Sequence, residues 1–296
     1  MTRVSTSPAA LPSFLAPYQH RVAALLDRVL PAATTEPADV HRAMRHTVLA
    51  PSKRVRAVLA FLSADVCGRD DRASGVAAAV ELIHAASLIL DDMPSMDDAP
   101  LRRGRPACHV AFGEATALLA AFAQLSLAFE LVAREYDPPM AAALTGLLAR
   151  AVGGEGLVGG QADDLLATDR AITFERLERI HRLKTGVLFS AAATGGAMTA
   201  GASAPQLAAL SAYAKNLGLA FQVIDDLLDV EGDPAHTGKL VRTDLKRTTF
   251  VSFSGVEGAR QLAGELCDTA DRALVPFGAR GARLRELSRF VAQRRA

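Results

Sequence analysis

The stretch SLILDDMPSMDD, residues 87–98, puts paired aspartates at the end of an apolar segment, and FQVIDDLLD, residues 221–229, repeats the arrangement. In the second copy Asp225 and Asp229 are four residues apart, so both carboxylates project from one face of a helix. In the first copy Pro94 cannot continue a regular helix, so we expect the chain to bulge and to bring Asp97 back toward Asp91. The sequence therefore predicts two apolar helices that each end in an acidic cluster.

Carboxylates that are packed together behind apolar helices are unfavourable by themselves, because like charges and desolvation raise their pKa values. A divalent cation removes the conflict, and Mg²⁺ prefers oxygen ligands, typically one or two carboxylates together with substrate phosphates. One isolated aspartate pair is more often a helix cap or a solvated surface group. Two such clusters at the ends of apolar helices favour a Mg²⁺ site that holds a diphosphate between two walls.

Basic and hydroxyl side chains that suit a diphosphate accompany both clusters. They are Lys53, Arg54 and Arg56 in PSKRVRA (51–57), Arg102 and Arg103 directly after the first cluster, Lys184 and Thr185 before a predicted helix, and Lys239, Lys246 and Arg247 after the second cluster. Alone, each would be a solvated charge, and His84 would be a hydrogen-bonded core histidine. Together they predict two neighbouring anion sites, one bridged by metal and one held by Lys and Arg alone.

Composition and periodicity describe an all-α protein. The 296 residues include 33 basic and 32 acidic side chains, a net charge of +1, which argues against a general nucleic-acid binder. Three cysteines far apart exclude a disulfide scaffold and show no zinc spacing, and an aromatic share of 5% disfavours a large β-sandwich. Apolar residues recur at helical spacing between Pro and Gly breakers, which predicts roughly ten helices. We expect one domain over residues 1–296, with 1–30 as a peripheral segment.

Neither a signal peptide nor a membrane span is evident in the sequence. The segment nearest to a span is 187–204, whose glycines and hydroxyls make it only weakly apolar. We expect it to be a packed internal helix that ends near Gly195 and Gly196. A cytoplasmic protein without transmembrane segments is the resulting expectation.

The ordered blocks resemble the trans-isoprenyl diphosphate synthases of the polyprenyl synthetase family, most closely their bacterial geranylgeranyl type. The resemblance runs from about Lys53 to Arg260 and rests on HAASLILDDMPSMDDAPLRRG (84–104), GQADDL (160–165), KTG (184–186) and FQVIDDLLD (221–229). It implies a bundle of about ten or more helices around a deep central cavity. It also implies a homodimer in which the helix over residues 113–133 makes the contact.

The resemblance further implies roles for the matching residues. About three Mg²⁺ ions would be held by Asp91 and Asp97, with Asp92 nearby, and by Asp225 supported by Asp229. The allylic diphosphate would contact Arg102, Lys184, Thr185, Gln222 and Lys239. Isopentenyl diphosphate would bind without metal to Lys53, Arg56, His84 and Arg103. Either Lys246 or Arg247 would also bind a substrate phosphate. Gln161 and Asp164 would lie behind these ligands.

Two blocks depart from the family pattern. Where the family has Gly-Gly-Lys-Arg-x-Arg-Pro, this chain has PSKRVRA (51–57), which keeps the cations and changes the residues on either side. The family's Lys-x-Thr aligns best with Arg247-Thr248-Thr249, with Lys246 adjacent and a shortened loop before it.

The implied reaction ionises an allylic diphosphate and condenses it with isopentenyl diphosphate. Ala86 and Ser87 lie roughly 6–7.5 Å before Asp91 along a helix, where short-chain farnesyl enzymes of the family often carry an aromatic residue. Two small residues there favour a C20 product, geranylgeranyl diphosphate, over C15. A cavity floor set by Met140, Phe122 or Phe129 is the alternative.

Three other functions are candidates: a class I terpene cyclase, a non-catalytic synthase subunit and a helical metal-binding structural protein. They leave the second anion site or the paired clusters unexplained.

Overall fold

The chain is almost entirely helical in the computed structural model, which describes residues 14–168, 170–231 and 248–294. The α-helices are α1 (Leu15–Val29), α2 (Ala38–Val48), α3 (Val55–Val66), α4 (Ser74–Asp91), α5 (Cys108–Phe112), α6 (Glu114–Glu135), α7 (Pro138–Val152), α8 (Leu157–Ala167), α9 (Phe174–His181), α10 (Val187–Thr199), α11 (Ala204–Glu231), α12 (Phe250–Ala273) and α13 (Ala282–Ala292). Short 3-10 helices cover Asp70–Ala73 and Val275–Gly281. Two antiparallel strands, β1 (Leu101–Arg102) and β2 (Arg105–Pro106), form a small ribbon. The predicted all-α fold of about ten or more helices is confirmed.

Helix α4 lies at the centre of the bundle and carries the first aspartate cluster at its end. Residues 75–83 of this helix are all buried, and α4 packs against both α3 and α6. A helix that is apolar on every side is expected to be enclosed by other helices, because each face must leave water. This burial places Asp91, the last residue of α4, at the edge of the core rather than on an outer surface.

Helix α10 continues through the two glycines at which we expected it to end. It runs from Val187 to Thr199, so Gly195 and Gly196 lie within it and the predicted boundary is wrong. A Cβ atom on Gly196 would lie 2.1 Å from the carbonyl oxygen of Ala60 in α3. The glycine pair therefore serves close packing between two helices, a contact that outweighs the low helix propensity of glycine.

The first described helix belongs to the core. Leu15, Val22 and Leu26 of α1 are fully buried, so the expectation that residues up to 30 form a peripheral segment is wrong for the part of it that the structure describes. One apolar cluster joins α1 to α13, and a smaller cluster forms around Leu177, Val223 and Phe250. A shared core from both ends of the described chain favours the one-domain interpretation.

Several helices present apolar residues to solvent. On α6, Leu119 and Phe122 are 57% and 66% exposed, and they point away from the core. By length and composition alone, four helical stretches in the described residues are apolar enough to cross a membrane: Asp71–Asp91, Glu114–Glu135, Pro138–Ala167 and Ala204–Glu231. Their most apolar windows are buried inside the protein to between 28% and 72%. Apolarity in these helices is thus divided between the core and the surface.

Candidate active site

The first aspartate cluster folds as the sequence predicts. Helix α4 stops at Asp91 and the chain turns at Pro94, so that the Asp97 amide donates a hydrogen bond of 2.9 Å to the Asp91 carbonyl oxygen. Burial raises the pKa of the Asp91 carboxyl, and neighbouring Asp97 and Asp92 add to the rise, against the opposing charges of Lys184 and Arg102. A cation placed beside Asp91 and Asp97 would relieve this crowding, so the pair fits a divalent ion.

Asp92 is turned away from that pair. Its carboxylate is buried and accepts two hydrogen bonds from Arg102 Nε, 2.9 Å to Oδ1 and 3.1 Å to Oδ2, while Arg102 Nη2 makes a further contact. This arrangement is a charge-assisted, two-oxygen contact that orients a guanidinium. Asp92 therefore positions Arg102 at the mouth of the cleft, where the sequence predicted only that Asp92 would lie near the metal.

Lys184 stands opposite the first cluster. Its Nζ donates to Asp164 Oδ2 at 2.8 Å, and although burial opposes its charge, the carboxylates of Asp91, Asp164 and Asp97 raise the pKa of its ammonium. Asp164 therefore orients the Lys184 ammonium. Helix α8 approaches closely here, since a Cβ atom on Gly160 would lie 2.3 Å from the Lys184 backbone nitrogen. Gln161, on the same helix, is buried and its Nε2 lies 3.7 Å from the Met96 sulfur.

The backbone around Lys184 and Thr185 differs from our expectation. We predicted that Lys184 and Thr185 come before the start of a helix, but α9 continues through a π-helical turn, Arg182–Gly186, directly into α10. The Val187 amide is bonded to the Arg182 carbonyl oxygen within that turn. The helix therefore has no free start at this point, and π-turns of this kind are frequent at functional sites.

The second cluster is built on α11. Thr185 Oγ1 donates to Gln222 Oε1 at 3.2 Å, and Gln222 Nε2 donates to Asp226 Oδ1 at 3.0 Å. The other Asp226 oxygen accepts the Phe250 amide at 2.9 Å, at the start of α12. Asp225 and Asp229, one turn apart on α11, are both half-buried, in agreement with the predicted shared face.

An arginine that sequence reasoning missed reaches this second cluster. Arg294 Nη2 lies 2.8 Å from Asp225 Oδ1, and its guanidinium lies 4.1 Å from the centre of the Phe221 ring. The side chain is only 8% exposed, and its Nε and Nη1 make no hydrogen bond among the described residues. The Nε and Nη1 groups of this buried guanidinium could therefore donate hydrogen bonds to a bound anion.

The remaining cations form a pocket between the walls. Arg56 Nη1 lies 3.3 Å from His84 Nε2, and its guanidinium lies 4.7 Å from the centre of the Phe189 ring. Burial lowers the pKa of Arg56 and of Arg103 to about 10, and lowers that of Lys53 to about 8. Burial and the neighbouring arginines also hold the pKa of His84 well below its usual value, so His84 is neutral near pH 7. Crowded cations of this kind suit a polyanion that needs no metal.

Arg54 does not belong to this pocket, although we grouped it with the diphosphate cations. Its guanidinium is buried and binds Glu81 Oε2 at 3.1 Å and the Ala50 carbonyl oxygen at 3.0 Å. Both groups are protein atoms beneath the cleft. The three neighbouring cations therefore point in two directions. Arg54 faces the core, whereas Lys53 and Arg56 belong to the cationic pocket.

The two acidic walls and the cationic pocket lie within electrostatic or hydrogen-bond range of one another. The carboxylates of Asp91 and Asp97 in the first cluster raise the pKa of Lys184. The neighbouring Thr185 donates a hydrogen bond to Gln222 in the second cluster. Arg56 experiences the charges of both Asp225 and Arg103. In residues 14–168, 170–231 and 248–294, no three His, Cys, Asp or Glu side chains already converge as a complete metal site. Carboxylates in two clusters of this kind fit Mg²⁺, which takes few protein ligands and completes its shell with water and substrate phosphates.

Three predicted phosphate ligands, Lys239, Lys246 and Arg247, lie outside the described residues. Of the predicted chain-length residues, Ser87 is half-buried on the face of α4 that also carries Asp91, and Ala86 is fully buried. Of the candidate floor residues, Phe122 is exposed in the single chain, whereas Phe129 and Met140 pack against the core.

Comparison with known proteins agrees with this geometry. A family model described as polyprenyl synthetase matches residues 37–262. Farnesyl diphosphate synthase of Escherichia coli K12 is 44% identical over 239 residues, covering 78% of this chain and 80% of the relative. Geranylgeranyl pyrophosphate synthase 7 of Arabidopsis thaliana is 39% identical over 268 residues, covering 88% of this chain and 77% of the relative.

Solved structures give the same result. An FPP/GFPP synthase of Zymomonas mobilis superposes with a TM-score of 0.85 at 34% identity, covering 95% of this chain and 98% of the other. A Helicobacter pylori geranyltransferase, solved with magnesium and isoprenyl diphosphate, gives a TM-score of 0.80 at 27% identity and covers 96% and 97% of the two chains. The residues that the family model matches include both aspartate clusters and the Lys184–Thr185 turn between them. With this agreement in sequence and fold, the chain belongs to the polyprenyl synthetase family of trans-isoprenyl diphosphate synthases.

Proposed function

We propose that this prenyltransferase condenses isopentenyl diphosphate head-to-tail with dimethylallyl, geranyl and farnesyl diphosphates and releases geranylgeranyl diphosphate (C20). The observation that carries the chain length is the pair of small residues before the first cluster, Ala86 and Ser87. A side chain larger than alanine or serine at this depth would meet a growing hydrocarbon about one and a half helical turns below the reacting carbon. A C15 product remains the competing outcome.

The metal would bind at the two aspartate clusters. Asp91 and Asp97 would hold Mg²⁺ on one wall, and Asp225 with Asp229 on the other, with about three ions as the proposed number. Bound there, Mg²⁺ supplies charge stabilisation for the departing diphosphate. Asp91 suits this role because burial and the neighbouring carboxylates raise its pKa, and a bound cation would relieve their repulsion.

The allylic diphosphate would lie between these walls. Arg102, held by Asp92, and Lys184, held by Asp164, both direct positive charge to its oxygens. The hydroxyl of Thr185 and the amide oxygen of Gln222 lie beside the forming allylic carbocation and stabilise it. The C–O bond of the allylic ester breaks, the isopentenyl double bond attacks the cationic carbon, and a proton leaves to the released diphosphate. No side-chain general base is needed.

Isopentenyl diphosphate would occupy the cationic pocket of Lys53, Arg56, His84 and Arg103. This second anion site separates the proposed activity from that of a class I terpene cyclase, which handles one diphosphate. The presence of both acidic clusters likewise separates it from a non-catalytic subunit, since such subunits tend to lose one.

The test is product analysis with purified protein, Mg²⁺, isopentenyl diphosphate and each allylic primer. We expect diphosphate release and mainly C20 alcohol after phosphatase treatment. Mainly C15 product from every primer would refute the chain-length proposal while leaving the prenyltransfer intact. Consumption of allylic substrate without isopentenyl diphosphate would instead indicate a cyclase.

We also propose a homodimer through the exposed face of α6. Leu118, Leu119 and Phe122 form an apolar strip on this helix, which overlaps the predicted contact over residues 113–133. Exposed apolar patches of this kind commonly mark protein interfaces. Sedimentation analysis should give twice the mass of one chain, and Phe122→Glu should shift the protein toward the monomer; a wild-type monomer would contradict the proposal.

We further propose that the protein acts in the cytoplasm and that its long apolar helices stay within the bundle. Two of these helices, Asp71–Asp91 and Ala204–Glu231, end at the charged cleft. Carboxylates that bind a soluble diphosphate need access to water, which the hydrocarbon of a bilayer would deny.

The pH dependence of isopentenyl diphosphate binding follows from Lys53. Burial, and then the charge of Arg294, lower its pKa to about 8, against the opposing effect of Asp225. Below this pH the ammonium is charged, so kcat/KM for isopentenyl diphosphate should fall as pH rises through about 8. The measurement is a pH profile with saturating allylic substrate.

Lys53→Arg provides the control for that profile, because arginine stays charged while both enzymes share the titration of the substrate itself. The descending limb should move to higher pH in this variant. Coincident profiles for the two proteins would exclude Lys53 as the titrating group.

A further inference from the structure

A buried ion pair lies directly beneath the cationic pocket and takes no part in the proposed chemistry. Arg54 is 7% exposed and Glu81 is 2% exposed, and Arg54 Nη1 lies 3.1 Å from Glu81 Oε2. Buried charges are costly unless they are fully paired, and a well-packed apolar pair is often as stable. The presence of this pair in an otherwise apolar part of α4 therefore calls for a reason other than stability.

The pair joins three segments at one point. Arg54 Nη2 donates to the carbonyl oxygens of Val48 and Ala50, which connect α2 to the loop before α3. The second Glu81 oxygen, Oε1, accepts the Ala57 amide at 3.3 Å in the first turn of α3. The chain from residue 48 to residue 57 is thus fixed to α4 from both sides of Lys53.

The backbone at Arg54 has a conformation that is uncommon for a residue other than glycine. Arg54 has φ 52° and ψ 30°, in the left-handed region that a non-glycine residue seldom adopts. It immediately precedes α3, and its carbonyl oxygen accepts the Val58 amide at 3.0 Å. Strained conformations of this kind persist where the surroundings enforce them, and they concentrate at functional sites.

This conformation determines where the neighbouring cations point. The side chain of Arg54 enters the core, while Lys53 and Arg56 stand toward Asp225 and the cleft. The Glu81 carboxylate also acts on Arg56 and Arg103, raising the pKa of each against the effect of burial. One carboxylate therefore supports the charge of two pocket arginines and holds the backbone between Lys53 and Arg56.

We propose that Glu81 and Arg54 are positioning residues for isopentenyl diphosphate: their buried ion pair sets the spacing of the Lys53 and Arg56 side chains in the metal-free pocket. The inference rests on the proposed function for the identity of the ligand. The pair contacts none of the residues assigned to the allylic diphosphate by direct hydrogen bonds in the described part of the chain. Its loss should consequently affect one substrate and spare the other.

The first test uses Glu81→Gln, which keeps an acceptor for the Ala57 amide and removes the charge. We expect KM for isopentenyl diphosphate to rise about tenfold, since small displacements of binding groups have effects of this size or larger. KM for the allylic substrate should change less than twofold. Arg54→Lys, which keeps the charge and loses the forked geometry, should behave in the same way.

A double variant separates positioning from stability. Arg54→Met with Glu81→Met replaces the ion pair by apolar side chains, so the melting temperature should recover relative to Glu81→Gln while KM for isopentenyl diphosphate stays high. Tyr213→Phe, which loses a buried hydrogen bond to the Leu284 carbonyl oxygen, is the control for general destabilisation and should leave both KM values unchanged. Recovery of KM together with the melting temperature would overturn the inference, as would equal effects of Glu81→Gln on both substrates.

A binding measurement keeps the inference separate from the proposed function. Titration calorimetry with inorganic diphosphate in EDTA reports the metal-free pocket without turnover, and Glu81→Gln should weaken this binding about tenfold. If the wild-type protein formed no prenyl product, the proposed function would fail and this titration would still test the pair. Equal affinities for the wild type and Glu81→Gln would refute the positioning role.

Discussion

Asp91→Asn should lower kcat about a thousandfold, the largest effect expected of any single substitution in the cleft. The change keeps the size of the side chain and removes the charge that would bind Mg²⁺. Metal ions contribute several kcal/mol of transition-state stabilisation, and each ~1.4 kcal/mol corresponds to a tenfold change in rate. Steady-state assays across a range of Mg²⁺ concentrations measure the loss, and the Mg²⁺ requirement should rise at the same time.

Asp98→Asn is the matched control, because it makes the same chemical change one residue beyond Asp97 at an exposed position. The backbone of Asp98 has a positive φ of 46°, which asparagine also tolerates. This variant should keep wild-type kcat. An Asp91→Asn enzyme that retained more than a tenth of the wild-type rate would remove Asp91 from the proposed metal site.

Ala86→Tyr should change the main product from C20 to C15. The added ring would occupy space about one and a half turns below Asp91, where the tail of a C15 intermediate would otherwise extend. The rate of the first condensation should be preserved, because the cationic groups near Asp91 are untouched. Chromatography of the dephosphorylated products measures the change in the C15 to C20 ratio.

Because Ala86 is fully buried, a tyrosine there could also disturb the packing of the helices, so a second variant is needed to separate the two effects. Ser87→Phe places the ring on the half-buried face of α4 at nearly the same depth and should shift the products in the same direction. Ala86→Ser, which stays small, should keep C20. Unchanged products in both aromatic variants would move the length-determining floor elsewhere, with Phe129 and Met140 as the residues to test next.

The sequence was sufficient for those parts of the site that depend on local spacing. Pro94 predicted the turn that returns Asp97 to Asp91, and four-residue spacing predicted the shared face of Asp225 and Asp229. All-round apolar segments predicted a buried helical bundle. These are short-range consequences of backbone geometry, and tertiary packing does not override them.

Features that depend on distant contacts were missed. Arg294 meets Asp225 only because α13 packs beside α11, and nothing in the local sequence around either residue signals this contact. The π-turn at Lys184 and the buried glycines of α10 likewise reflect neighbouring helices. Glu81 did carry a signal, since it is a lone carboxylate in an apolar helix, which requires a buried partner.

Each doubled aspartate combines two different constraints. Asp92 is engaged by Arg102, and Asp226 is engaged by Gln222 and the Phe250 amide, so the second member of each pair holds the scaffold while the first faces the reactants. Natural selection would therefore preserve the first member for turnover, and the second both for the placement of Arg102 or Gln222 and for the yield of folded protein. Over evolutionary time, a lineage that lost its catalytic activity would be free to change Asp91 and Asp225 long before it could change Asp92 and Asp226.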